Sequence, residues 1–269
     1  MSSNQPNLLP LLQELSTQLE GTLQVDSLTK TLYATDASVY REIPLAVAFP
    51  KTESDIKKLI LFASKNGTSL IPRTAGTSLS GQCVGNGIVV DVSKHFTKIL
   101  ELNVAERWVR VQPGVVRDEL NRYLKPHGLF FSPITSTASR AMIGGMVGNN
   151  SSGTTSIVYG VTRDKVISLN TILSDGNPVK FEALTKDEFE EKTKLPSLEG
   201  DIYRKVLEEL SDEEARQEIH SQFPKKSIHR RNTGYAVDEL LKTEIFEGEE
   251  KFNFCKLLSG SEGTLAFTT

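Results

Sequence analysis

The sequence is poor in the residues that most often announce a specialised chemistry. Among its 269 residues there are two cysteines, Cys83 and Cys255, and one tryptophan, Trp108. Two distant cysteines cannot build a disulfide framework, and neither has a Cys or His beside it at metal-ligand spacing, so no metal site is expected. This usage fits a reducing, cytoplasmic compartment. The four histidines, His95, His127, His220 and His229, lie apart and read as surface residues. No charge of one sign dominates. The 31 basic and 34 acidic residues leave a net charge of -3 without a basic block, which argues against nucleic acid as a partner. No apolar run approaches the roughly 20 residues of a membrane span, and the N-terminus lacks the basic-then-apolar order of a targeting leader. Any membrane contact is therefore expected to be peripheral. What remains is a chain able to bury a core, with a small molecule as its expected partner.

Apolar positions at helical spacing run from Leu8 to Leu19 and predict a first helix ending near Gly21. A short apolar strand over Leu45 to Pro50 follows. Thr52 and Asp55 then open a helix whose inner face is Ile56, Leu59, Ile60 and Ala63 and which Gly67 closes. Ser69 to Pro72 and Ile88 to Val92 read as buried strands. A second region starts near Ile99, with an alternating strand through Trp108 and a helix over Arg117 to Leu124. Val166 to Leu173 and Val179 to Phe181 bracket Asp175-Gly176, a hairpin signal. Charged helices are expected at Lys186 to Lys192 and Ser211 to Gln222. The expected organisation is a helical segment (1–42), a small lobe (43–98) and a larger lobe (99–269), two α+β lobes around one crevice.

Four stretches carry the chemistry. The first, Pro72-Arg73-Thr74-Ala75-Gly76-Thr77-Ser78-Leu79-Ser80-Gly81, stands between two strands, where small residues let backbone N–H groups converge and hydroxyls add donors. That is how a pyrophosphate is held. A mobile surface loop would have the same composition, but context decides. Neither Gly-x-Gly-x-x-Gly nor Gly-x-x-x-x-Gly-Lys leads into a helix, so a Rossmann site and a P-loop are both excluded. The second stretch comprises Pro133, Thr135, Ser139 and Met142, then Ile143-Gly144-Gly145-Met146-Val147-Gly148-Asn149-Asn150-Ser151-Ser152-Gly153. Its glycines permit close approach to a flat ring and its amides and hydroxyls suit that ring's polar edge. A small-residue helix packed on a sheet is the alternative reading. Tyr159-Gly160-Val161 precedes the next strand, and Ser259-Gly260-Ser261-Glu262-Gly263-Thr264-Leu265 follows near the end.

In this order and at these separations, the segments resemble the vanillyl-alcohol-oxidase, or PCMH-type, family of FAD-binding domains, over roughly Ile43 to Thr269. The resemblance implies a two-lobed fold, with a small strand-helix-strand lobe and a larger, mostly antiparallel lobe with helices. It places the FAD pyrophosphate on the first loop, the isoalloxazine and its linker along Ile143 to Gly153, and the Glu262-Gly263-Thr264 motif over the same cofactor. Some relatives attach the flavin through a histidine in the first loop. Here Thr74, Ala75, Gly76 and Thr77 stand at those positions, so FAD is expected to be non-covalent.

Arg230-Arg231-Asn232-Thr233-Gly234-Tyr235 resembles a segment of the D-lactate, glycolate and D-2-hydroxyglutarate dehydrogenase branch. That makes Arg231 the candidate clamp for a 2-hydroxy acid carboxylate, with Asn232 beside it. Two arginines that merely solvate a loop are the bland alternative. No catalytic residue is identified within the chain. Thr264 to Thr269 reads as a strand cut in mid-course, as in a domain taken from a longer polypeptide, and in the resembled branch the base or metal lies beyond this motif. Larger members carry an iron–sulfur module, which implies that module or a quinone as electron acceptor. Two readings compete: an NADPH-fed reductase of the enolpyruvyl-sugar type, and a flavin-binding module without turnover.

Overall fold

In the computed structural model, residues 8–225, 227, 228, 231 and 234–269 are described. The chain starts with α1 (Leu9–Gln18), β1 (Thr22–Gln24) and α2 (Ser27–Leu32), followed by β2 (Ala46–Phe49) and α3 (Glu53–Asn66). The Thr52 hydroxyl accepts from the Asp55 amide at 3.2 Å and caps α3, whose last turn ends on Gly67 at φ +62°. Ile56, Leu59, Ile60 and Ala63 are all buried, as their spacing foretells. Two parallel partners, β3 (Leu70–Arg73) and β4 (Ile88–Asp91), complete a four-stranded sheet in the order β1-β2-β4-β3, with only β1 antiparallel.

The central strands β2 and β4 are apolar on both faces because both faces are covered. Ala46, Ala48, Ile88 and Val90 meet Ile56 and Leu59 of α3 and Leu12 and Leu15 of α1 in one core. Residues 9–24 thus share the sheet and core of the small lobe.

The remainder is built on small antiparallel sheets. A hairpin of β5 (Ile99–Asn103) and β6 (Trp108–Val111) lies over α4 (Arg117–Leu124), enclosing Val115, Leu120 and Leu124. After α5 (Ile143–Gly148) and α6 (Ser156–Tyr159) come β7 (Leu169–Ile172) and β8 (Pro178–Phe181), joined through Gly176 at φ +79°. The strand expected from Val166 starts only at Leu169. Before it, Asp164 accepts from the Val161 amide at 2.8 Å and winds residues 162–165 into a 3-10 turn.

Helices α7 (Lys186–Thr193), α8 (Leu198–Ser211), α9 (Glu213–Gln222), α10 (Val237–Leu240) and α11 (Cys255–Leu258) surround a core in which Phe181, Phe189, Tyr203, Phe252 and Phe254 pair mostly edge to face, with ring centroids 4.7–5.4 Å apart, and Tyr203 and Phe252 meet tilted at 6.0 Å. Helix α8 was not anticipated; Gly200 in its first turn blurs the pattern, yet it lies tight against Leu195 O. The last strand, β9 (Phe267–Thr268), pairs with β7, giving the order β8-β7-β9. Ile172 and Phe267 then enter the small lobe's core, so the two lobes are joined through apolar contact. Among the described residues, no helix is long and apolar enough to cross a membrane.

Candidate cofactor site

The first loop begins where β3 ends. Arg73 donates to Thr35 O at 2.9 Å and to Tyr33 O at 3.4 Å, and its guanidinium lies 5.0 Å from the centre of the Tyr33 ring. The Tyr33 hydroxyl donates in turn to the buried Asp91 at 2.6 Å; burial first, and this carboxylate second, push its pKa well above the usual tyrosine value. This tether fixes the loop's root. Gly76 takes φ +64°, and a Cβ there would meet Arg73 Nη2 at 2.5 Å. The Ser78 hydroxyl accepts from the amides of Ser80 and Gln82, at 3.1 and 3.3 Å. Among the described residues, the amides of Ala75 to Leu79 donate to no protein acceptor. Consecutive free N–H groups beside a cavity make an anion-binding nest.

The second segment is both things its sequence allowed: a short helix and a polar turn. Gly144 lies against Pro113 and Gly145 against Thr74, where added Cβ atoms would come within 2.4 Å of Pro113 Cβ and 2.5 Å of Thr74 Oγ1. Only glycine lets α5 close on the first loop this way. Asn149 then turns toward the loop and its Oδ1 accepts from Gln82 at 2.8 Å; the same Gln82 amide donates to Glu262 at 2.6 Å. One side chain therefore joins all three segments at the rim.

The closing segment is placed by backbone bonds, Gly260 N to Val147 O and Glu262 N to Gly148 O, each 2.9 Å. Gly263, at φ +79°, brings the chain against Pro72. Behind it stands Arg163, 3% exposed, which donates to Lys256 O at 2.8 Å, to Ser259 O at 2.6 and 3.1 Å and to Gly234 O at 3.2 Å. Burial lowers its pKa, with the Glu239 carboxylate the largest opposing influence, but arginine starts so high that it remains a cation.

These segments enclose a cavity of about 760 Å³, within the range of small-molecule sites. Of the residues singled out from sequence, Pro72 to Ser80, Thr135, Met142, Gly144, Gly145, Gly148, Asn149, Ser151, Ser152, Glu262 and Gly263 form its wall. Ten others lie behind or beside the wall. Gly81 backs onto Tyr40; Pro133 O accepts from Arg117 at 3.1 Å; Ser139 is exposed; and Ile143 joins two of the cores. Asn150, buried at φ +48°, accepts from the Arg163 amide; Gly153 lies against Ile134 O; Tyr159 packs edge-on to Phe130. Gly160 and Val161 cradle the Asp164 carboxylate, and Thr264 bonds Ser261 O and the Tyr235 hydroxyl.

Arg231 is outside the wall. Its guanidinium is paired with Asp238, and with Glu239 at 2.8 Å, and it is largely buried. Its companions Arg230 and Asn232, and His229, lie outside the described residues. The wall also includes residues the sequence did not flag: Thr35 to Ala37, Gln82, Cys83, Thr137, Arg140 and Phe267 among them. Gln82 directly follows the first loop and was the most findable. Residues 35–37 carry no glycine-rich signal and arrive through the Arg73 tether. The Cys83 thiol is pushed up to about 11, chiefly by burial, and is thus no nucleophile at neutral pH.

An elongated dinucleotide with a diphosphate at its middle matches this donor set, and the chain belongs to the FAD binding domain family, whose model matches residues 44–182, just over half of the chain. FAD is its cofactor and the PCMH-type fold its architecture. More narrowly, it is 40% identical over 266 residues to a D-2-hydroxyglutarate dehydrogenase of Haemophilus influenzae and 39% identical to one of Escherichia coli, in each case over 97% of this chain and 25% of the relative. The chain thus spans about a quarter of the length of these relatives. A glycolate oxidase subunit GlcD of Bacillus subtilis is 34% identical over 56% of this chain and 33% of its own length. Among solved structures, a BBE-like 1 protein of Physcomitrella patens gives a TM-score of 0.56 at 20% identity, covering 65% of this chain and 38% of that one. A p-cresol methylhydroxylase gives 0.57 at 15%, covering 65% and 35%.

Proposed function

We propose that this chain is the FAD-holding part of a dehydrogenase that oxidises the CH–OH group of a D-2-hydroxy acid, with D-2-hydroxyglutarate as the first substrate to try. One observation carries the reading: three sequence-distant glycine-rich segments meet at a single cavity and are joined there by Gln82. The relatives named for that substrate match almost the whole chain.

The division of labour follows from the wall. The free amides of Ala75 to Leu79 hold the diphosphate, Gly144 and Gly145 admit the ring and its linker to the backbone of α5, and Glu262 with Gln82 closes the rim. FAD, when bound, supplies the acceptor for the hydride leaving the substrate carbon. The hydroxyl proton needs a base. The carboxylates of the wall, Asp36 and Glu262, are engaged by Ser38 N and Gln82, so we place the base outside these residues. Electrons then pass to an acceptor outside the segment, an iron–sulfur module or a quinone. The substrate's carboxylate remains assigned to Arg231, on condition that it exchanges Asp238 or Glu239 for it.

The test begins with the visible spectrum of the purified chain with FAD, before and after acid precipitation. Flavin released to the supernatant is the expected result for non-covalent cofactor, and absence of any flavin band refutes the FAD assignment. In the longer polypeptide that carries this segment, anaerobic D-2-hydroxyglutarate should bleach the flavin. Bleaching by NADPH instead would move the assignment to a reductase.

A further inference from the structure

We propose that Arg140 supplies the cation that neutralises the diphosphate of the bound dinucleotide. The proposal rests on FAD being the cofactor. Four charged residues line the cavity: Asp36, Arg73, Arg140 and Glu262. Three are already occupied. Arg73 is held by Thr35 O and the Tyr33 ring, Asp36 by Ser38 N, and Glu262 by Gln82. Among the described residues, the Arg140 guanidinium has no hydrogen bond, ion pair or ring contact.

The backbone turn that carries it is fixed, while the side chain itself is exposed. The Arg140 and Ala141 amides both donate to Thr137 O, at 2.8 and 2.7 Å, while Ala138 O and Ala141 O accept from Asp118 N and Arg117 N at 3.2 and 2.9 Å at the start of α4. A turn tied at both ends thus presents one unpaired arginine to the cavity. With Arg140 the wall sums to zero charge, and without it to -1, facing a ligand whose diphosphate carries two negative charges. Oxidised flavin and adenosine are both neutral, so the diphosphate is the part of the ligand that a free guanidinium selects, and its fork of N–H donors suits phosphate oxygens. The amides of the first loop can approach that group from the other lobe but carry no net charge.

The test is titration of the apo chain with FAD and riboflavin by flavin fluorescence, with ADP as a competitor, at low and high salt. The proteins are wild type, Arg140→Gln and Arg140→Lys, each checked for an unchanged melting curve. Arg140→Gln is expected to weaken FAD and ADP about tenfold at low salt, to flatten the salt dependence of both, and to leave riboflavin unaffected; Arg140→Lys should lie between. An FAD affinity for Arg140→Gln within twofold of wild type overturns the proposal, as does an equal loss for riboflavin. A wild-type chain that binds neither flavin nor ADP overturns the FAD assignment and this proposal with it.

Discussion

Arg163→Met should loosen the closing segment from behind while leaving the cavity wall chemically intact. Methionine matches the length of the arginine stem but has no donors, so the carbonyls of Lys256, Ser259 and Gly234 lose their partner together. Leaving a buried acceptor unmet costs about 1–3 kcal/mol. Ser259 is fully buried and carries the whole cost; the Lys256 carbonyl carries part, and Gly234, at an exposed turn, recovers water. Relief from burying a guanidinium works in the opposite direction. The sum is a loss of about 2–4 kcal/mol, or roughly 4–16 °C in melting temperature for a chain of this size. Differential scanning fluorimetry with and without FAD reads both consequences, a lower Tm and a smaller upward shift on adding FAD. Arg163→Lys retains the charge but reaches at most one or two of the carbonyls, and should fall between. A Met variant that melts within 2 °C of wild type, with the same FAD-induced shift, refutes the idea that this arginine holds the closing segment in place.

Gly76→Val forces a β-branched residue to φ +64° and drives its Cβ into Arg73, so FAD retention on a desalting column should be lost. Gly67→Ala is the control, since it has the same backbone sign with open space around it, and flavin binding there should be unchanged. Asp55 is buried; burial alone would raise its pKa, but the amides of Lys51, Glu20 and Gly21, each at 2.9 Å, outweigh it and hold the pKa below the ordinary 3.8. A carboxylate depressed on folding stabilises above its unfolded pKa, and that contribution drains away as pH falls through the folded value. The gap in urea midpoint between wild type and Asp55→Asn should therefore be wide at pH 7 and narrower at pH 3, and a constant gap contradicts the assignment. Arg231→Ala takes from Asp238 and Glu239 their shared partner, with Lys242 still paired to Glu239, so a loss of about 1–3 kcal/mol is expected. If Arg231 also reads the substrate, KM for the hydroxy acid rises in the longer polypeptide; a lowered Tm with unaltered KM removes the clamp and leaves the ion pair.

What the sequence displayed were features whose signal is local. Helix α3 announces itself through a cap, a period and a terminating glycine, all within a span of about four turns, and the glycine-rich segments advertise backbone freedom wherever they sit. The wall formed by residues 35–37 was invisible because its position comes from Arg73 and Tyr33, a contact between chain segments almost forty residues apart. The same holds for Arg163, whose role depends on carbonyls more than seventy residues downstream. Arg231 shows the reverse case, a local signal whose surroundings are not local. A positive charge beside a resembled motif suggested a ligand, and only the fold reveals that two carboxylates of α10 reach it first.

The seating of Phe267 bears on how the molecule comes to be made. Because that ring and Ile172 fill space among Ile56, Leu59 and Val90, the small lobe, which leaves the ribosome before the larger one, emerges with part of its interior missing. It stays incomplete until nearly 180 further residues have followed Val90, and meanwhile Leu12, Leu15 and their neighbours have partial cover. Nucleation can begin early on the parallel strands, but consolidation waits for the last strand to zip onto β7. A nascent chain paused before that point is the species a chaperone would meet, and the one most prone to associate with its own kind.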